Sequence, residues 1–164
     1  MRRSALPATE NAGLAIFVIA LLTIGGAWIF QSMGYLPCDL CYEQRYAYYI
    51  GLPLAALAAV VGRSTPKLAA LLFLALAVVF AVNVALAVYH SGVEMKLWQG
   101  PTACSGSAAG DGGDLLAAID KVKVVRCDDV GLRVFGLTLA NWNVFISAAL
   151  AGLALIGGRR ALRA

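Results

Sequence analysis

Four long apolar stretches, residues 12–30, 46–61, 68–89 and 137–156, constrain this chain more than any other feature. Each approaches the roughly 20 residues that an α-helix needs to cross a bilayer; the second is the shortest. A chain of 164 residues that is 61% hydrophobic and only 13% charged lies far outside the composition of soluble domains. The expected fold is an all-α membrane protein, a single domain over 1–164 built as a four-transmembrane-helix bundle with outer loops at 31–45 and 90–136. The stretch 12–30 is expected to be retained as a span, because it has the full bilayer length and ends in aromatics, unlike a cleaved signal sequence.

Basic residues set orientation. Arg2, Arg3, Arg63, Lys67, Arg159, Arg160 and Arg163 fall on one side of the four-span arrangement, which the positive-inside rule makes cytoplasmic, both termini included. Most acidic residues fall on the other side, so the net charge of +4 reports topology and gives no reason to expect a nucleic-acid partner. Trp28, Trp98, Trp142 and all the tyrosines lie near the outer ends of the spans. Two readings of this one-sided belt stand: anchoring at the lipid interface, or packing of the outer ends around an aromatic ligand.

All four cysteines fall in the outer loops, where an oxidising compartment favours disulfides. Cys38 and Cys41 form a C-x-x-C motif just ahead of the second span. Cys41 is therefore expected at a helix N-terminus, whose free N–H groups stabilise a thiolate, with Arg45 one turn later as a nearby cation. Asp39, between the two cysteines, is expected to push the neighbouring thiols upward. Arg45 has a second reading, as a residue that snorkels to headgroups or neutralises Glu43.

Cys104 precedes a Gly/Ser-rich coil at 105–113, a flexible tether toward Cys127. Between them Asp114 is a plausible helix cap, and Leu115, Leu116, Ile119 and Val122 recur on one face, so a short amphipathic surface helix is expected in this second outer loop. Spacing alone leaves three readings of the cysteines open. They are a relay of redox pairs, two bracing disulfides, or a four-thiolate zinc site, the last lacking the paired C-x-x-C knuckles of common zinc folds. His90, the only histidine, stands at the outer end of the third span, either as a proton-transfer group or as a hydrogen-bonded structural residue. Glu94, Asp128 and Asp129 read as solvated loop charges, Glu94 with the option of bonding near the site. Asn83, Asn141 and Asn143 read as interhelical hydrogen-bonders, and Gly25, Gly26 and Gly51 as points of close helix approach. No Ser/His/Asp set, metal-binding His cluster or phosphate-cradling Gly loop stands out.

The segment Cys38-Asp39-Leu40-Cys41-Tyr42-Glu43-Gln44-Arg45 is similar to C-x-L-C-x-x-Q-R, the signature of the DsbB family. With Tyr89 to Glu94, Cys104, Cys127-Asp128, Phe135-Gly136-Leu137 and Trp142-Asn143, the chain resembles that family over most of its length. Leu132 departs from it, standing where many relatives carry Trp. The resemblance implies a bacterial inner-membrane disulfide oxidoreductase with its cysteine loops in the periplasm. It would reoxidise a DsbA-like dithiol protein and pass the electrons to the membrane's pool of ubiquinone or menaquinone. On this reading Cys104 and Cys127 exchange with the partner, Cys104 being the sulfur attacked, while Cys38 and Cys41 receive the electrons. Cys41 faces the quinone, Arg45 holds one of its oxygens, and His90 and Gln44 lie beside it. The alternatives are a non-catalytic tetraspan scaffold with structural disulfides, and a thiol-reducing relative of vitamin-K-epoxide-reductase-type folds, whose usual thioredoxin-like extension is not evident.

Overall fold

The computed structural model describes residues 6–62, 64–101, 126–128, 130 and 132–163. Four helices account for most of them: α1 (Leu6–Ser32), α2 (Asp39–Val61), α3 (Pro66–Glu94) and α4 (Leu139–Leu162). A two-stranded antiparallel hairpin, β1 (Arg133–Val134) and β2 (Leu137–Thr138), precedes α4. The expected surface helix over 114–123, together with Arg2, Arg3, Arg63, Cys104 and Asp129, lies outside the described residues.

The helices run beyond the apolar stretches that announce them. α1, with 27 residues, extends to about 40 Å at 1.5 Å per residue, longer than a bilayer core is thick. α1, α3 and α4 are long and apolar enough to cross a membrane. α2 opens instead on Asp39, Glu43, Gln44 and Arg45, and its apolar part begins only after them.

Neighbours in the bundle follow chain order, α1 against α2, α2 against α3, α3 against α4, and α4 back against α1. Short connections at 33–38 and 62–65 make successive helices antiparallel. The two ends of α4 confirm the alternation. Asn143 near its start meets α2 near its start, while Ala161 near its finish clusters with Ala69 and Ala70 at the start of α3.

Ile16, Ala20 and Ile24 of α1, Tyr48, Ala55 and Ala58 of α2, Leu76 and Phe80 of α3, and Leu150 and Ala154 of α4 fill the centre. Val60, Leu71, Leu74, Val78 and Val82 point outward although they are as apolar as the core, as a lipid-facing surface requires. Small residues bring helices together. A Cβ at Gly13 would lie 2.9 Å from the backbone nitrogen of Ala59, and one at Gly51 2.7 Å from the Phe80 ring. Gly25 and Gly26 do not share this role, since a Cβ at either meets nothing within 4 Å. Gly26 lines a cavity instead.

Polar contacts tie the three helices α2, α3 and α4 inside the bundle. Asn83 Nδ2 donates to Ser147 Oγ at 2.9 Å, Ser147 Oγ donates to Asn143 Oδ1 at 3.2 Å, and Tyr48 Oη donates to the same Asn143 oxygen. Inside a bilayer each such group needs a protein partner, because no water competes for it.

Candidate functional site

The site is assembled at the end of the bundle where α1 and α3 finish and α2 and α4 begin. Cys38 is the N-cap of α2, in extended conformation, and its sulfur accepts the N–H of Cys41 at 3.4 Å. Cys41 thus occupies the first turn of the helix, where unpaired N–H groups favour negative charge. Both residues lie ahead of the apolar stretch 46–61. They are free thiols, with Sγ atoms 2.9 Å apart.

The two sulfurs are shifted in opposite directions. The Cys38 thiol is pushed well up, first by its hydrogen bond to Cys41 and then by burial. Cys41 is held below the ordinary thiol value, chiefly because Cys38 S–H donates to it, with the positive charge of Arg45 a lesser contribution. Asp39 does not act as expected. Its side chain is exposed, and the rise at Cys38 comes from Cys41 and burial rather than from this carboxylate.

His90, near the end of α3, places Nε2 3.6 Å from Cys38 Sγ and Nδ1 2.7 Å from Gln44 Nε2. Gln44 is buried and bonded on every side, its Nε2 also donating to the Leu40 carbonyl at 3.1 Å and its Oε1 accepting from Asn143 Nδ2 at 2.5 Å. The Arg45 guanidinium is buried, donates to Gln31 Oε1 at 2.6 Å and lies over the Tyr42 ring at 5.1 Å. Gln31 of α1, rather than Glu43, is its partner.

Sequence reasoning missed Thr138 and Gln31. Of the two readings of Glu94, the structure takes bonding near the site: as the last residue of α3 its carboxylate is nearly buried, accepts from Thr138 Oγ1 at 2.6 Å and approaches His90 Nε2 at 4.0 Å. Thr138 also caps α4, accepting the N–H of Asn141 at 3.2 Å, so one hydroxyl joins the end of α3 to the start of α4. Gln31 was legible in principle, as a polar residue at the end of a long apolar run.

Cys38, Cys41, Gln44, Arg45, His90 and Glu94 all line one cavity of about 790 Å³. Its other walls are mainly apolar, with Leu22, Ile24, Ala27, Phe30, Leu36, Leu139, Trp142 and Ile146 among them. Leu132, the position that departs from the family pattern, is also a wall residue. The aromatic belt is therefore shared between two tasks. Phe30, Tyr35, Tyr48 and Trp142 face the cavity, whereas Trp98 stacks on Tyr89 outside it at 6.1 Å.

Cys127 is buried in an apolar cluster with Cys38, Leu40 and Val93, so a sulfur of the second pair packs beside the first. It is disulfide-bonded. Next to it, Arg126 holds Asp128 through two 2.9 Å bonds, keeping that carboxyl below its usual range.

Among known protein families, residues 9–157 match the one described as disulfide bond formation protein DsbB. The chain belongs to the DsbB family. Membership makes it a membrane protein of disulfide bond formation, a family of thiol–disulfide oxidoreductases. No curated protein and no solved structure matches the chain. Within the DsbB pattern, the C-x-x-C cysteines, Gln44, Arg45 and His90 meet in space, while Cys104 lies outside the described residues.

Proposed function

We propose that this DsbB-family protein reoxidises a periplasmic DsbA-like dithiol protein and delivers the electrons to a membrane quinone, ubiquinone or menaquinone. The observation that carries this reading is the thiol pair Cys38/Cys41 opening onto a mainly apolar cavity while Cys127 packs behind Cys38. A flat, mainly apolar redox group suits such walls, and Arg45 offers a buried cation toward an oxygen of that group. Bound quinone supplies a two-electron, two-proton acceptor that the polypeptide lacks.

The relay balances through sulfur alone until that last transfer. A partner thiolate attacks the Cys104–Cys127 disulfide, its second thiol resolves the mixed disulfide, and the partner leaves oxidised with Cys104 and Cys127 reduced. Those thiols then reduce a Cys38–Cys41 disulfide by the same two exchanges. Cys127 is only 1% exposed, which favours Cys104 as the sulfur the partner attacks. Cys41, with the lower pKa of its pair, is the thiolate that faces the electron acceptor. Fully assembled, α2 is the fourth span of an inner-membrane bundle with both termini cytoplasmic, its polar first turns sitting at the periplasmic surface.

Purified protein in lipid, given reduced DsbA-like substrate and a soluble quinone under anaerobic conditions, should reduce quinone and form substrate disulfide. Absence of turnover with both quinone classes overturns the proposal. Cys41→Ser should abolish quinone reduction while Cys104 still traps substrate as a mixed disulfide. A scaffold braced by inert disulfides would trap none.

A further inference from the structure

We infer that Gln44 is a positioning residue that locks His90 as the neutral imidazole protonated on Nε2, a hydrogen-bond donor to Cys38 rather than a general base. The orientation of the Gln44 amide is decided by a group with no freedom. The Leu40 carbonyl can only accept, so the atom 3.1 Å from it is the amide nitrogen. Gln44 Oε1 is then correctly placed to accept from Asn143 Nδ2. Asn143 is held in turn by hydroxyls of Tyr48 and Ser147 on its oxygen. Ser147 Oγ accepts from Asn83 and keeps its hydrogen to donate to that oxygen.

With its nitrogen so fixed, Gln44 directs the second amide hydrogen at His90 Nδ1, 2.7 Å away. That ring nitrogen must offer a lone pair. A proton there would set N–H against N–H at 2.7 Å in a buried contact, with the Gln44 amide already held by Leu40 and Asn143. The imidazole proton therefore belongs on Nε2, and the surroundings of Nε2 agree independently. Its neighbours are the Glu94 carboxylate at 4.0 Å, an acceptor, and Cys38 Sγ at 3.6 Å, which can accept.

The chemical consequence falls on Cys38. When a mixed disulfide between Cys38 and one cysteine of the second pair is broken by the other, the electron pair of the S–S bond stays on Cys38 Sγ. The second pair closes into its own disulfide. His90 Nε2–H then meets the departing thiolate as a donor already in place, and no proton need leave the ring. Cys38, Cys41 and Glu94 stand against the imidazole, and Arg45, Arg126, Tyr35 and Tyr48 line the same cavity; from α4 the ring receives the neutral amide chain through Asn143.

This assignment refines the thiol site of the proposed reaction, but its test reads the ring itself and holds whatever the final electron acceptor is. His90 is the sole histidine, so protein purified without a histidine tag and labelled with ¹⁵N-imidazole reports on this ring alone. In lipid, with the four cysteines as in the purified protein, neutral pH should give a protonated Nε2 and a lone-pair Nδ1. Gln44→Glu replaces the donor facing Nδ1 by an acceptor, and should move a proton onto Nδ1. A wild-type spectrum of the Nδ1–H form or of imidazolium overturns the assignment, as does a folded Gln44→Glu variant with an unchanged spectrum. Because the wild-type spectrum decides by itself, failure of the variant to fold leaves the test intact.

Discussion

At the residue scale, the opposite shifts of Cys38 and Cys41 distinguish what each sulfur can do. The Cys38 S–H bond is the largest cause of the lowered pKa at Cys41, and Arg45 a smaller one. Cys38→Ala should therefore return Cys41 toward ordinary thiol behaviour, slowing its alkylation at neutral pH by about tenfold for each unit of pKa regained. Alkylation rates measured against pH in the single variant test this. Unchanged rates would mean the helix terminus and Arg45 suffice. The sign for stability follows from the same direction: a thiol depressed in the folded state stabilises the protein fully above its unfolded pKa, and that contribution is lost as pH falls through the folded value. Sequence reasoning identified Cys41, Arg45 and the helix start, yet it assigned a role to Asp39 that the exposed position of that side chain does not support. Side-chain direction at a helix start is a matter of three-dimensional register that spacing leaves open.

At the scale of elements, two helices end near the site in the same way but with different residues. α1 closes with Gly34 N–H to Gln31 O and Tyr35 N–H to Phe30 O, and Gly34 has φ of 95°. α3 closes with Lys96 N–H to Val93 O and Leu97 N–H to Gly92 O, but here the left-handed position, φ 59°, holds a lysine. These are paired 6→1 and 5→2 terminations in which glycine is the unstrained choice. Lys96→Gly should stabilise the protein by about 1 kcal/mol, the approximate cost of a side chain in this region, seen as a raised Tm in detergent. A lowered Tm would show that the lysine makes a compensating contact. Beyond this turn Trp98 packs so tightly on Gly92 that a Cβ there would lie 2.0 Å from its ring, which explains why a glycine precedes Val93 and Glu94. The hairpin ahead of α4 turns through Phe135 and Gly136, both with positive φ, and is pinned by Trp142 Nε1 donating to the Val134 carbonyl at 2.9 Å. The Phe-Gly pair was visible in the sequence as part of a family motif, but two-residue strands are too short for any periodicity to announce.

At the scale of the whole molecule, the polar ladder through Asn83, Ser147, Tyr48, Asn143 and Gln44 links the centre of the bundle to the thiol site. Asn143→Leu removes its middle member and leaves Gln44 Oε1 buried without a donor, which should cost about 1–3 kcal/mol. Unfolding in mixed micelles measures that loss, and the ¹⁵N spectrum of His90 should broaden into both tautomers as Gln44 gains freedom to rotate. A destabilised variant with an unaltered His90 spectrum would confine the ladder to packing. The sequence marked Asn83 and Asn143 as interhelical bonders, and both are. That their chain of bonds continues to His90 depended on residues nearly a hundred positions apart.

Taken alone, the sequence determined the membrane class, the places where the four long helices run and the family, because hydropathy and short motifs are local properties that survive any packing. Tertiary structure decided which polar groups face one another. It brought Glu94 out of its supposed loop and into the cavity wall, turned Arg45 toward Gln31, packed Cys127 behind Cys38, and aimed the Gln44 amide at His90. Those outcomes depend on how four helices rotate about their own axes against each other. Helices apolar on nearly every face carry no amphipathic stripe to announce that rotation, so it is settled by the fit of glycines, rings and buried amides once the bundle has closed.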